Sequence, residues 1–166
     1  MRDIPISDDF PPGFCEEVGR LVIAFGRLEY LIKLCFKDLH GKGFTIGMAE
    51  AEYDAQAFAD FCAETGILTK LAKSKLSARE ADAFCELINK ALPLGTFRND
   101  TVHAWWYADF KGLPSRIRPK KDSHELADWS RGRVVQVTEI RGAREEIERI
   151  YRDLDTQRGT WTVRNP

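Results

Sequence analysis

Arg98-Asn99-Asp100-Thr101-Val102-His103 places a permanent cation, an amide and the side chain best suited to proton transfer within about one and a half helical turns. Arginine keeps its charge at any physiological pH, whereas histidine gains or loses a proton near neutrality. Phosphodiester chemistry needs such a set: a base to take a proton, an acid to return one, and a fixed positive charge to stabilise the transition state. A plain helix surface would suit the same six residues. On a regular helix Asn99 and His103 share a face, while Arg98 and His103, five apart, diverge by about 140°. One straight helix therefore does not aim Arg98 and His103 at a single point. Either a kink changes the geometry, or two copies of the chain bring their motifs together across a symmetric interface, and the dimer is the reading adopted. The alternative for His103 is an interfacial or core histidine bonded to a carbonyl.

Glu29 is a second anomaly. It falls within an apolar helical stripe, four residues after Phe25 and three before Ile32, where a lone carboxylate is expensive. It is expected to pack against the motif and orient Arg98 or His103, unless helix rotation lets its head reach solvent. Lys111, Arg116, Arg118, Lys120, Lys121, Arg131 and Arg133 follow the motif. If that segment folds over a cleft, Arg116, Arg118, Lys120 and Lys121 supply phosphate contacts whose affinity falls with salt; otherwise they are solvated loop charges. Trp105, Trp106 and Tyr107 could stack on unpaired bases, with Trp105 the candidate RNA contact. If the segment is helical, the two tryptophans cannot share one face, so at least one belongs to core or interface.

Five or so elements must position these residues. Val18, Leu21, Val22, Phe25, Leu28, Ile32, Phe36 and Leu39 recur at three- and four-residue steps and predict a helix over Pro12 to His40, ended by Gly41 and Gly43. A second helical region begins near Glu50 and carries Phe58, Phe61 and Cys62, with Gly66 interrupting it before Ile67 to Leu76. Ser77-Ala-Arg-Glu80 has the form of a capping box and starts a third helix, with Ala81, Phe84, Cys85, Ile88, Ala91 and Leu92 on its apolar face. Pro93 and Gly95 are expected to kink or break it before a further helical segment through the motif. The insertion, about 108–137, is polar and basic, with Arg133 to Val137 as the best strand and a hairpin partner at Ser115 to Arg118. A last amphipathic helix runs from about Thr138 to Asp155. The fold class expected is all-α, a four- to five-helix up-and-down bundle with a small β-hairpin or irregular insertion before the last helix, in one domain spanning 1–166.

A chain of 166 residues with 43% hydrophobic content can bury one core. Net charge is -1, which argues against a generally basic nucleic-acid coat, but residues 84–166 hold 15 Lys and Arg against 12 Asp and Glu. The motif thus lies in the positive half, in keeping with an anionic partner or with a solvated helix face. The acidic, proline-marked stretch Met1 to Pro12 reads as no signal peptide, and no apolar run approaches a membrane span, so a cytoplasmic protein without membrane contact is expected. Cys15, Cys35, Cys62 and Cys85 lack metal-ligand spacing and read as small buried hydrophobes in a reducing cytosol, the last three on apolar helix faces, in preference to zinc ligands or disulfides.

The long first helix with its phrase Phe25-Gly-Arg-Leu-Glu29, two further helices, and then Arg98-Asn99-x-x-x-His103 followed by Trp105 resemble the HEPN superfamily of prokaryotic all-helical domains. The resemblance implies a metal-independent, cofactor-free endoribonuclease working as a homodimer in a toxin–antitoxin or phage-defence setting, with an antitoxin or other protein as a further partner. In that picture Arg98 contacts the scissile phosphate, Asn99 positions RNA or the histidine, and His103 acts as general acid or base. The 2′-hydroxyl of RNA is the nucleophile, leaving a cyclic phosphate. Members paired with nucleotidyltransferase antitoxins carry a tyrosine two residues after the histidine; here that position is Trp105, and Tyr107 comes two residues too late. Similar domains also serve as catalytically silent dimerising, sensing or nucleotide-binding modules, and that is the alternative function.

Overall fold

A computed structural model describes residues 10–108, 111–117 and 132–161. It is mostly helical, in the order α1 (Phe14–His40), α2 (Ile46–Asp54), α3 (Phe58–Cys62), α4 (Ile67–Lys75), α5 (Ala78–Val102), strands β1 (Trp105–Ala108), β2 (Pro114–Ile117) and β3 (Arg133–Val134), and α6 (Val137–Arg158). The all-α bundle with a small insertion before its last helix is what the periodicity predicts: five helices of nine residues or more and the single-turn α3.

Pairs of contacts give the helix directions. Glu17 meets Arg141 and Arg144 near the starts of α1 and α6, and Asp38 meets Arg158 near their ends, so the two helices run parallel. Arg98 reaches Glu29 while Trp106, further along the chain, stacks edge-on against Phe14, so α5 runs antiparallel to α1. Tyr53 bonds Glu29 while Phe44, before α2, meets Phe36, so α2 descends as α1 rises. The core lies between these helices and includes Phe25, Leu28, Ile32 and Phe36 of α1, Phe84 and Ile88 of α5, and Ile140, Ile147 and Leu154 of α6. Val22, placed in the buried stripe by its spacing, is instead 39% exposed at the stripe's edge.

Three local expectations are corrected. Pro93 and Gly95 do not break the third helix: α5 is continuous from Ala78 to Val102. Pro93 is on the exposed face, where the Asn89 carbonyl that loses its intrahelical partner can bond water. Gly95 is buried because α5 needs a gap there: a Cβ would sit 2.7 Å from the Phe58 ring and 3.1 Å from Phe25. The second helical region starts earlier than Glu50, at Ile46, where the Thr45 hydroxyl accepts the Met48 N–H at 3.3 Å. Gly66 does interrupt it, since a Cβ would meet the Asp60 and Phe61 carbonyls at 2.5 Å. Finally, the sheet has three antiparallel strands rather than a hairpin; it begins at Trp105, ahead of 108, and Val137 already belongs to α6.

Gly95→Ala gains about 1 kcal/mol of helix propensity but overpacks a site where insertion costs about 1–3 kcal/mol, so its urea midpoint falls. Glu17 is buried at the start of α1; burial raises its carboxyl pKa, but hydrogen bonds from Arg141 and Arg144 outweigh that and hold it below the usual value. A carboxyl depressed in the folded state contributes stability above its unfolded pKa and loses it as pH falls through the folded one. Wild type should therefore lose stability below about pH 4.5 faster than Glu17→Gln, measured by urea unfolding across pH 2–7.

Candidate functional site

Glu29 and Arg98 meet across the α1–α5 seam. One guanidinium nitrogen, Nη2, donates to Glu29 Oε2 at 2.9 Å, and both side chains are 21% exposed. The other, Nη1, donates to Asn99 Oδ1 at 2.7 Å, and the guanidinium lies over the Phe25 ring, 4.8 Å from its centroid. Arg98 is thus held by a carboxylate, an amide and an aromatic face, a preorganised arrangement that suits a planar, permanently charged fork. Its Nε is buried and has no hydrogen-bond partner among the described residues.

Glu29 has more acceptor capacity than one arginine fills, and Tyr53 takes the remainder: its hydroxyl donates to Glu29 Oε1 at 2.7 Å. Burial, followed by the Glu29 charge, pushes the Tyr53 phenol well above its ordinary pKa, so it stays a donor. Lys33 caps this group, its ammonium 4.6 Å from the Tyr53 ring centroid and paired with Asp54. Tyr53 escapes sequence reasoning because α2 is too short and evenly mixed to show a face. The only signal available is that a buried carboxylate calls for a second donor.

His103 closes α5. It is the C-cap residue, its backbone N–H donates to the Asn99 carbonyl at 3.0 Å, and its side chain is exposed. It makes no side-chain hydrogen bond to another described residue, so the carbonyl-bonded core histidine is not what the structure has. Asn99 therefore touches both ends of the motif, through its amide to Arg98 and its carbonyl to His103.

The two tryptophans do occupy different environments, for a strand's reason and not a helix's. On β1 successive side chains alternate faces: Trp105 is 57% exposed, whereas Trp106 turns inward, donating from Nε1 to the Thr101 carbonyl at 2.8 Å. Arg116 is a correction. It is only 7% exposed, donates to the Thr101 hydroxyl at 2.9 Å and lies over the Phe97 ring at 5.0 Å, so it fastens β2 to the end of α5 and offers no surface for phosphate. Arg133 pairs with Glu139. Lys111 is exposed and has interactions of its own. Arg118, Lys120, Lys121 and Arg131 lie outside the described residues. The four cysteines are free: Cys35 and Cys62 are buried, Cys85 is half-buried and Cys15 exposed. Burial and then Glu29 push the Cys62 thiol up to about 12, which leaves it a packing group.

Glu29→Gln should leave Arg98 half-buried without its counter-charge. The expected loss is about 1–3 kcal/mol, between the values for exposed and buried pairs. Tyr53→Phe leaves that ion pair intact and removes one hydrogen bond to a charged group, a loss at the lower end of about 1.5–3 kcal/mol. Urea denaturation of both variants measures the difference.

Among the described residues no group of three or more His, Cys, Asp or Glu is placed to hold a metal ion, and no helix is long and apolar enough to cross a membrane. No family model, curated protein or solved structure matches the chain.

Proposed function

We propose that the protein is a metal-independent endoribonuclease that acts as a homodimer, with Arg98 and His103 of both subunits facing one cleft. The observation that carries this reading is the division of roles along α5. Arg98 is pinned by Glu29, Asn99 and Phe25, while His103, five residues on, is exposed. A fixed cation and a free acid/base group are what transfer at a phosphodiester needs. Because α5 runs unbroken from Ala78 to Val102, Arg98 and the capping His103 lie about 140° apart around one helix, and a two-fold pairing of helices would bring the two side chains of different subunits together. Val102 and Trp105, on either side of His103, are exposed large apolar side chains, in keeping with a face covered by a second copy.

In this reading a histidine takes the proton of the 2′-hydroxyl as its oxygen attacks the adjacent phosphorus. Arg98 stabilises the charge that builds on the non-bridging oxygens, and a protonated histidine returns a proton to the departing 5′-oxygen. The products are a 2′,3′-cyclic phosphate and a 5′-hydroxyl. Trp105 offers a stacking surface for an unpaired base. One observation favours a silent interaction module instead: Arg98 already spends two donors on Glu29 and Asn99 and is only a fifth exposed.

Incubation of mixed tRNA and ribosomal RNA in EDTA, with mapping of the ends, decides between them. Wild type should produce cyclic-phosphate ends, and His103→Ala, which removes an exposed side chain without unfolding the protein, should lose about 10²–10⁴-fold in rate. Cleavage by both proteins equally, or by neither, would overturn the nuclease in favour of the interaction module.

A further inference from the structure

On the side of α1 turned away from Glu29, a groove runs along the seam with α6. Ala24 is buried in that seam, and its small side chain leaves room that a larger one would fill. The groove has two adjoining parts: about 290 Å³ lined by Ala24, Arg27, Glu148, Tyr151 and Arg152, and about 310 Å³ that extends past Ile23 to Arg20 and Arg144.

The charges around it are unevenly satisfied. On α1 and α6, Arg20, Lys33, Lys37, Arg141, Arg144, Arg149 and Arg158 each have a carboxylate partner. Arg27 and Arg152 are the two cations of these helices with no ion pair to a described residue, and both line the same groove. The one carboxylate there, Glu148, is occupied by Arg144, whose Nη1 donates to it at 2.8 Å. Two unspent guanidinium forks therefore border a cavity that also offers an apolar surface: Ala24 at its base, Ile23, 59% exposed, and the half-buried Tyr151 ring.

We propose that this groove binds a compact phosphate monoester, its phosphate between Arg27 and Arg152 and its carbon skeleton against Ile23, Ala24 and Tyr151. A single carboxylate is satisfied by one bidentate arginine, whereas two guanidiniums match a dianion with three terminal oxygens. Each part is at the small end of ligand pockets, roughly 300 Å³, and the two meet at Ala24, Arg27 and Glu148, a space that selects a small molecule over a polymer. The site is separate from Arg98 and His103 and stands whether or not the chain cleaves RNA.

Calorimetric titration of the full chain with phenyl phosphate, inorganic phosphate and benzoate tests it. Phenyl phosphate should bind more tightly than either of the others, since each lacks one half of the match. Arg27→Gln and Arg152→Gln should each weaken phenyl phosphate by about tenfold or more, the equivalent of one charge-assisted hydrogen bond, and the double variant should abolish it. Arg149→Gln, which removes a cation paired with Glu146 outside the groove, should leave it unchanged. All four variants should keep the thermal unfolding of wild type, because these side chains are exposed. Absence of binding at millimolar phenyl phosphate, equal binding of benzoate, or equal weakening by Arg149→Gln would overturn the proposal. So would binding to vesicles containing phosphatidic acid without binding to phenyl phosphate, which would place the phosphate on a membrane surface.

Discussion

A carboxylate set in the apolar stripe of a long helix must be neutralised by groups delivered from other parts of the chain, and in this protein that requirement ties three helices together. Glu29 of α1 receives the Arg98 guanidinium from α5 and the Tyr53 hydroxyl from α2. An uncompensated charge at such depth costs more than any single apolar contact nearby returns, so the pairing constrains the register of both helices against α1. Gly95 is part of the same constraint. One turn before Arg98, it lets Phe25 and Phe58 approach the α5 backbone, and Phe25 is also the ring on which the guanidinium rests. Steric fit and charge fit therefore act on the same turn of α5.

The two chemically interesting side chains of the motif come out of this with opposite freedoms. Arg98 lies on the face of α5 that the ion pair draws inward, and its conformational freedom is spent before any ligand arrives. His103, at the helix end, is left to solvent while the following strand turns Trp106 inward and Trp105 outward. The sheet is anchored here by Arg116, which reaches the Thr101 hydroxyl, itself donating to the Phe97 carbonyl at 2.7 Å. That chain of contacts makes the last turn of α5 a junction between bundle and sheet, and it fixes where His103 is presented.

Much of this was legible in the residues. The stripe of α1, the capping box at Ser77 and Glu80 and the interruption at Gly66 are local signals, and both periodicity and capping act locally. Glu29 was legible as a charge in need of a partner, because burial is readable from spacing even when the partner is not. What was not legible depended on distant contacts. Gly95 reads as a breaker until Phe58, 37 residues earlier in the chain, is known to press on it. Arg116 reads as one of a run of surface cations until the Phe97 ring and Thr101 are seen beneath it. Trp105 and Trp106 carry no mark that tells a helix from a strand in so short a stretch. Tyr53 is legible only as the unnamed second donor that a buried carboxylate calls for, since its role is defined by the residue it bonds.

The α1–α6 seam obeys a different logic from the α1–α5 seam. Its register is set by two clamps, Glu17 with Arg141 and Arg144 at one end and Asp38 with Arg158 at the other, which hold the helices parallel over most of their length. Parallel neighbours align their dipoles unfavourably, so cross-helix ion pairs have more to offset here than between antiparallel partners. The clamps consume the acidic residues that face the seam, and Glu148 between them is taken by Arg144. Arg27 and Arg152 are left over at the point where Ala24 opens the contact. A seam closed at its ends by charge and opened in its middle by one small residue leaves its surplus charge directed at a cavity instead of at a neighbour.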